Sequence, residues 1–188
     1  MKRLVLASAL VLALVLLPGA IDKKTAREQR YKSVMEQRPA SAQSMIRPAL
    51  PGEKFISIPG EAFQLVAAYA AVDMMPFAGA SIALWNEAVA VAPINLPDGA
   101  KITLFGARML DSKQYGYGTI FLRRNNKGEI KGIVKINSSN AIEQREITLS
   151  KRPGVYNRFN GYYLQAQAPI GELEFLGIEY VIIGYIMP

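Results

Sequence analysis

The chain is 188 residues long, 51% apolar, carries a formal net charge of +7 and contains neither cysteine nor histidine. That length and apolar content suit one domain with a substantial core plus appendages. The missing residue types exclude disulfide staples, thiolate nucleophiles and the commonest zinc ligands, and they remove the side chain most used for acid–base work near pH 7; no catalytic residue, metal or cofactor is expected.

The charge is unevenly spread. Residues 1–20 contribute +2, residues 21–47 contribute +4, and residues 48–188, with thirteen basic and twelve acidic side chains, contribute +1. The folded part is therefore nearly neutral, and nucleic acid is not an expected partner.

In chain order, "MKRLVLASALVLALVLLPGA" has the basic start, apolar run (Leu4 to Leu17) and small-residue exit of a secretory signal. The run is shorter than the roughly 20 residues of a spanning helix, although extension to Ile21 makes a short anchor feasible; Pro18 sits where a cleavage site wants a small residue, so residues 1–20 read as signal peptide or N-terminal anchor. Residues 21–53 form a basic tail and linker. "IDKKTAREQRYKSVMEQ" is rich in helix formers without Gly or Pro and predicts one helix with a thin apolar stripe, a spacer able to rest on its own domain or on a membrane surface. Three prolines in "RPASAQSMIRPALPGE" predict an extended linker.

The folded domain is expected over residues 54–188. "KFISIPG" predicts a first strand. Residues 61–80 leave two readings open, a short alanine-rich helix or strand plus loop around Met75-Pro76. "SIALWNEAVAVAPI" and, after a turn at Leu96 to Ala100, "KITLFGARML" are nearly continuously apolar. In the latter, strict alternation sends Ile102 and Leu104 one way and Thr103, Phe105, Ala107 and Met109 the other, so both faces need cover: the opposite sheet on one side, and a crossing loop, the N-terminal segment or another subunit on the second. "YGYGTIFLRR", "EIKGIVKIN", "EQREITL", "GYYLQAQAP" and "ELEFLGIEYVIIGYI" follow as further strands, separated by turns such as "NNKGE", "KRPG" and "RFNG". The last is long, and a switch of its apolar face at Phe175/Leu176, beside Gly177, predicts a β-bulge or bend.

The order "ISIPGEAF", "APINLPDGAKIT", "GTIFLRR", "GYYLQAQAP", "ELEFLGIEYVI" resembles a β-sandwich domain of uncharacterised secreted bacterial proteins marked by an "LPDGA" turn, over roughly Phe55 to Tyr185. The resemblance implies a fold and an exported context but no activity, since the shared positions are turn and core residues. The chain departs from that pattern after Met109, at "LDSKQYGYG", and in its apolar end "VIIGYIMP".

A glycosidase would need two carboxylates facing across a cleft. Asp98, Asp111, Glu172, Glu174 and Glu179 are available, but Asp98 belongs to a turn and Glu172 and Glu174 alternate with core residues. The tyrosines are the better lead. Tyr115, Tyr117 and Tyr156 fall near predicted loops; Tyr162 alternates inward with Leu164 and Ala166, leaving Tyr163 with Gln165 and Gln167 on the opposite face, a row suited to glycan contact and equally to plain solvent.

The expected protein is thus all-β, an antiparallel sandwich of jelly-roll type, preceded by a hydrophobic segment and a short helix. The leading expectation for function is an exported, non-enzymatic structural or interaction protein of the bacterial envelope or extracellular space. It would act through contacts with other protein subunits, as a homo-oligomer or envelope assembly, with its N-terminal segment placed to touch a membrane. The alternative is a carbohydrate-binding module whose glycan meets Tyr115, Tyr117, Tyr156, Tyr163, Gln165 and Gln167.

Overall fold

The computed structural model describes residues 23–36, 47–67, 75–77, 81–111, 117–138, 143–171 and 174–188. The chain divides between Glu36 and Gln37 into two compact units. The first contains α1 (Lys23–Glu36), formed where helix-favouring residues run without Gly or Pro. No helix among the described residues is long and apolar enough to cross a membrane. The hydrophobic segment at residues 1–20 lies outside them.

The second unit is built from antiparallel strands: β1 (Lys54–Pro59), β2 (Gln64–Ala67), β3 (Met75–Phe77), β4 (Ser81–Trp85), β5 (Val89–Ile94), β6 (Lys101–Asp111), β7 (Thr119–Asn126), β8 (Glu129–Asn137), β9 (Glu143–Thr148), β10 (Gly161–Gln167) and β11 (Phe175–Ile186). Where it is described, the stretch with two readings is a 3-10 turn (Gly60–Ala62) followed by β2 and β3, not a buried helix. One sheet, called A, runs β3-β4-β11-β6-β9 with β1 also paired to β11; the other, called B, runs β2-β5-β10-β7-β8. The eight strands from β4 onward are dealt between two four-strand sets, β4-β11-β6-β9 and β5-β10-β7-β8, which is the jelly-roll arrangement of two Greek keys.

The core lies between the sheets, and its two walls are complementary in size. Sheet A supplies Ile82, Leu84, Phe105, Met109, Leu176, Ile178 and Ile183, while the middle of sheet B offers Ala90, Ala92 and Ala166 between Ile120, Leu122 and Leu164. Large side chains over small ones let the layers close to crystal-like density.

Two bulges reset the faces of the central pair. On β11 the register to β6 shifts between Ile178 and Tyr180, so Glu179 is the extra residue; this is the expected bulge, a few residues later than the Phe175/Leu176 switch suggested. On β6 the shift falls between Ile102 and Leu104, leaving Thr103 extra. Strict alternation therefore misassigned the strand: Ile102 shares the inter-sheet core with Phe105, Ala107 and Met109, and Leu104 does not.

The second face of β6 is covered at least in part by the segment just before β1. The segment before β1 crosses it, and the Glu53 carboxylate accepts hydrogen bonds from Thr103 Oγ1, from Arg47 Nη1 at 2.8 Å and from the Leu50 amide at 2.7 Å. Burial by itself would raise the Glu53 carboxyl, but these donors and the Arg47 charge outweigh it and hold the group down at about 2. Leu104, Trp85 and Phe175 are fully buried on this side, with the Trp85 and Phe175 rings 4.7 Å apart. Another subunit is not needed to bury this strand, and the physical reason for expecting an oligomer falls away.

Candidate functional site

Sheet B turns its second face away from the core. Along β10 burial alternates, with Tyr162, Leu164 and Ala166 inward and Tyr163, Gln165 and Gln167 outward, as the period of two requires. Register then sets the neighbours of each outward residue. Tyr163 lies between Pro93 of β5 and Arg123 of β7; Gln165 lies between Val91 and Phe121; Gln167 lies between Val89 and Thr119. One strand further, Phe121 is paired with Lys135 of β8, and Thr119 with Asn137, the Thr119 hydroxyl standing 3.2 Å from Asn137 Oδ1. On the far side, Gln64 of β2 is paired with Val91.

The middle of this face is therefore two aromatic rings on adjacent strands, Tyr163 and Phe121, one register step apart and flanked by Gln165 and Gln167. Arg123 lies with its guanidinium carbon over the Phe121 ring, 4.5 Å from its centroid, in a cation–π contact.

The other expected tyrosines are distributed differently. Tyr115 lies outside the described residues. Tyr117 is exposed just before β7, at the end of the sheet where Gln167 meets Thr119. Tyr156 is exposed at the opposite end, on the loop entering β10, with Phe159 also exposed nearby. That loop is tied down: the Asn157 amide donates to Asp98 Oδ1 at 2.7 Å, Asn157 Nδ2 donates to the Leu96 carbonyl at 2.6 Å, and the Tyr156 amide donates to the buried Tyr162 hydroxyl at 2.9 Å. Of the six residues expected at a site, Tyr163, Gln165 and Gln167 share one surface, and Tyr117 and Tyr156 sit beyond its two ends.

Phe121, Arg123 and Lys135 were missed. Their alternation is readable in "TIFLRR", where Ile120 and Leu122 point inward and leave Phe121 and Arg123 outward. Nothing in the sequence says that this strand lies beside "GYYLQAQ".

The acids expected from the sequence have structural partners where they are described. Asp98 holds the loop, Glu179 pairs with Arg108 at 2.8 Å on sheet A, and Glu172 and the Asp111 side chain lie outside the described residues. Among the described residues no group of three or more His, Cys, Asp or Glu side chains could hold a metal ion.

No protein-family model matches the chain, and no curated protein is significantly similar to it. Solved structures are similar in fold. The C-terminal CBM6 of LamC, a laminarinase from Zobellia galactanivorans, is 14% identical over 69% of this chain and 98% of its own, with a TM-score of 0.44. The CBM36-1 domain of a multidomain xylanase from the hindgut metagenome of Trinervitermes trinervoides is 14% identical over 69% and 96%, with a TM-score of 0.47. CBM29_1, a carbohydrate-binding module of Piromyces equi, is 9% identical over 70% and 90%, with a TM-score of 0.44. The leading expectation, a structural protein acting through protein–protein contacts, is corrected: the solved structures similar in fold are carbohydrate-binding modules. At such identities the likeness concerns architecture, and any ligand has to be read from this chain's own surface.

Proposed function

We propose that the protein is an exported, non-catalytic carbohydrate-binding module that takes a glycan on the outer face of sheet B. The observation that carries the reading is the placement of Tyr163 and Phe121 on adjacent strands with Gln165 and Gln167 beside them. A pyranose ring presents C–H bonds on its faces and hydroxyls around its rim. Aromatic plates meet the first, and glutamine amides, which both donate and accept, meet the second. The strands under these side chains are held by their ladders and by the Ala90, Ala92 and Ala166 packing below, so the surface is formed before the ligand arrives. Export is read from the N-terminal signal pattern and belongs to the same proposal.

The test is titration of the full chain with a panel of polysaccharides, comparing wild type with Tyr163→Ala. Loss of one stacking ring is expected to weaken binding by about tenfold, the equivalent of ~1.4 kcal/mol. Binding that is untouched by Tyr163→Ala would move the site off this face, and no binding to any polysaccharide would remove the reading.

A further inference from the structure

Resting on the reading of this face as a saccharide site, we propose that its ligand is an acidic glycan, one bearing carboxylate or sulfate groups. Among the described residues, the outward positions of the sheet B strands hold two cations, Arg123 and Lys135, and no acid, while Glu146 of β9, beyond the sheet's edge, lines a cavity with Lys135. Strands β2, β5, β7 and β10 contain no Asp or Glu, and the one acid of β8, Glu129, lies at the hairpin end in an ion pair with Lys131 at 2.9 Å. This is a local imbalance, since residues 48–188 as a whole carry only +1.

Arg123 is built into the site. Its guanidinium lies over the Phe121 ring, and its Nε is buried without a hydrogen-bond partner. An arginine held against a ring keeps its N–H donors in the plane of the guanidinium, where they match the paired oxygens of a carboxylate or sulfate. Register sets it next to Tyr163, and sets Lys135 next to Phe121, so each ring has a cation at its side. A sugar stacked on Tyr163 would bring a substituent at its rim to Arg123, which itself covers the Phe121 ring.

A neutral glycan fits this arrangement poorly. Arg and Lys only donate hydrogen bonds, and covering their charges with an uncharged ligand removes their water without replacing it by an anion. A nucleic acid is the competing polyanion. Two cations on a flat face are few beside the six to ten phosphate contacts of a typical backbone-tracking surface, and the glutamine row suits hydroxyls.

Calorimetric titration of the full chain against polygalacturonate, chondroitin sulfate, neutral xylan and a single-stranded DNA oligomer separates the cases. One of the two acidic glycans is expected to bind at least about tenfold tighter than xylan, and Arg123→Gln to erase that margin. Lys135→Gln, a change at an exposed position, should act in the same direction, which guards against a folding defect in the first variant. Which acidic glycan binds tighter tells carboxylate from sulfate. Xylan binding as tight as either acidic glycan, and indifferent to Arg123→Gln, would overturn the acidic ligand while leaving the Tyr163 face standing. Failure of every glycan would end both, as would DNA binding that exceeds all of them and depends on Arg123.

Discussion

Glu53 is the residue whose chemistry reaches furthest into stability. Its carboxylate accepts from Arg47, Thr103 and Leu50 and so fastens the segment before β1 across sheet A. The folded group titrates at about 2, against 4.5 in an unperturbed chain. A depressed acid contributes stability that is fully present above the unfolded value and is lost as pH falls through the folded one, so this contribution disappears between about pH 4.5 and pH 2. Glu53→Gln is expected to cost ~2 kcal/mol at pH 7. Urea titrations of both proteins at pH 7 and pH 2.5 should show the difference shrinking on acidification; a constant difference would mean that the charge is not what matters. Gly60 is a steric counterpart. A Cβ there would stand 2.1 Å from the Ile178 carbonyl oxygen, so Gly60→Ala forces backbone apart and should cost ~3 kcal/mol or more, read as a lowered urea midpoint. Neither role is legible in the sequence, because each depends on what lies across space from an unremarkable Glu or Gly. The outward row Tyr163, Gln165 and Gln167 is legible, because it needs only the period of two along a single strand.

At the scale of elements, the turns show the backbone chemistry most plainly. The β4-to-β5 connection puts Asn86 at φ 49° and Glu87 at φ 61°, and the β7–β8 hairpin puts Lys127 at φ 49° and Gly128 at φ 89°. Both are two-residue turns in the left-handed region, where Asn and Gly are at ease and Glu is not. Glu87→Gly relieves that strain and is expected to gain ~0.5 kcal/mol after the extra freedom of the unfolded chain is counted, whereas Gly128→Ala should lose ~1 kcal/mol. Thermal melts of the pair, moving in opposite directions, check the assignment; two shifts of the same sign would refute it. The hairpin is readable from "NNKGE". The two bulges are only half readable: Gly177 and the change of apolar face announce a break in β11, but its position at Glu179, and the matching one at Thr103, follow from how the two strands pair. That pairing is what sent Leu104 to the face opposite Ile102.

For the whole molecule, the jelly roll separates two surfaces that alternating sequence cannot distinguish. Part of the face of sheet A away from the core is apolar and buried, with Leu104 and with Trp85 against Phe175; the corresponding face of sheet B is aromatic, polar and cationic. Strand spacing reveals a sandwich, yet which sheet receives each strand depends on long-range closure, and this is why "KITLFGARML" looked like a strand in need of a partner chain. Trp85 is the chain's one tryptophan and is fully buried, which makes its fluorescence a reporter of sheet A. A ligand on sheet B at a hundred times its Kd should stabilise the fold by ~2.7 kcal/mol and raise the melting temperature by roughly 5–10 °C. It should do so without changing the Trp85 emission at 25 °C, because the two sheets' outer faces are separated by the core. Unfolding, in contrast, should shift that emission to the red as the indole meets water. A saturating glycan that quenches or shifts Trp85 while the protein stays folded would place the ligand on the sheet A side and overturn the assignment of the site to Tyr163 and Phe121.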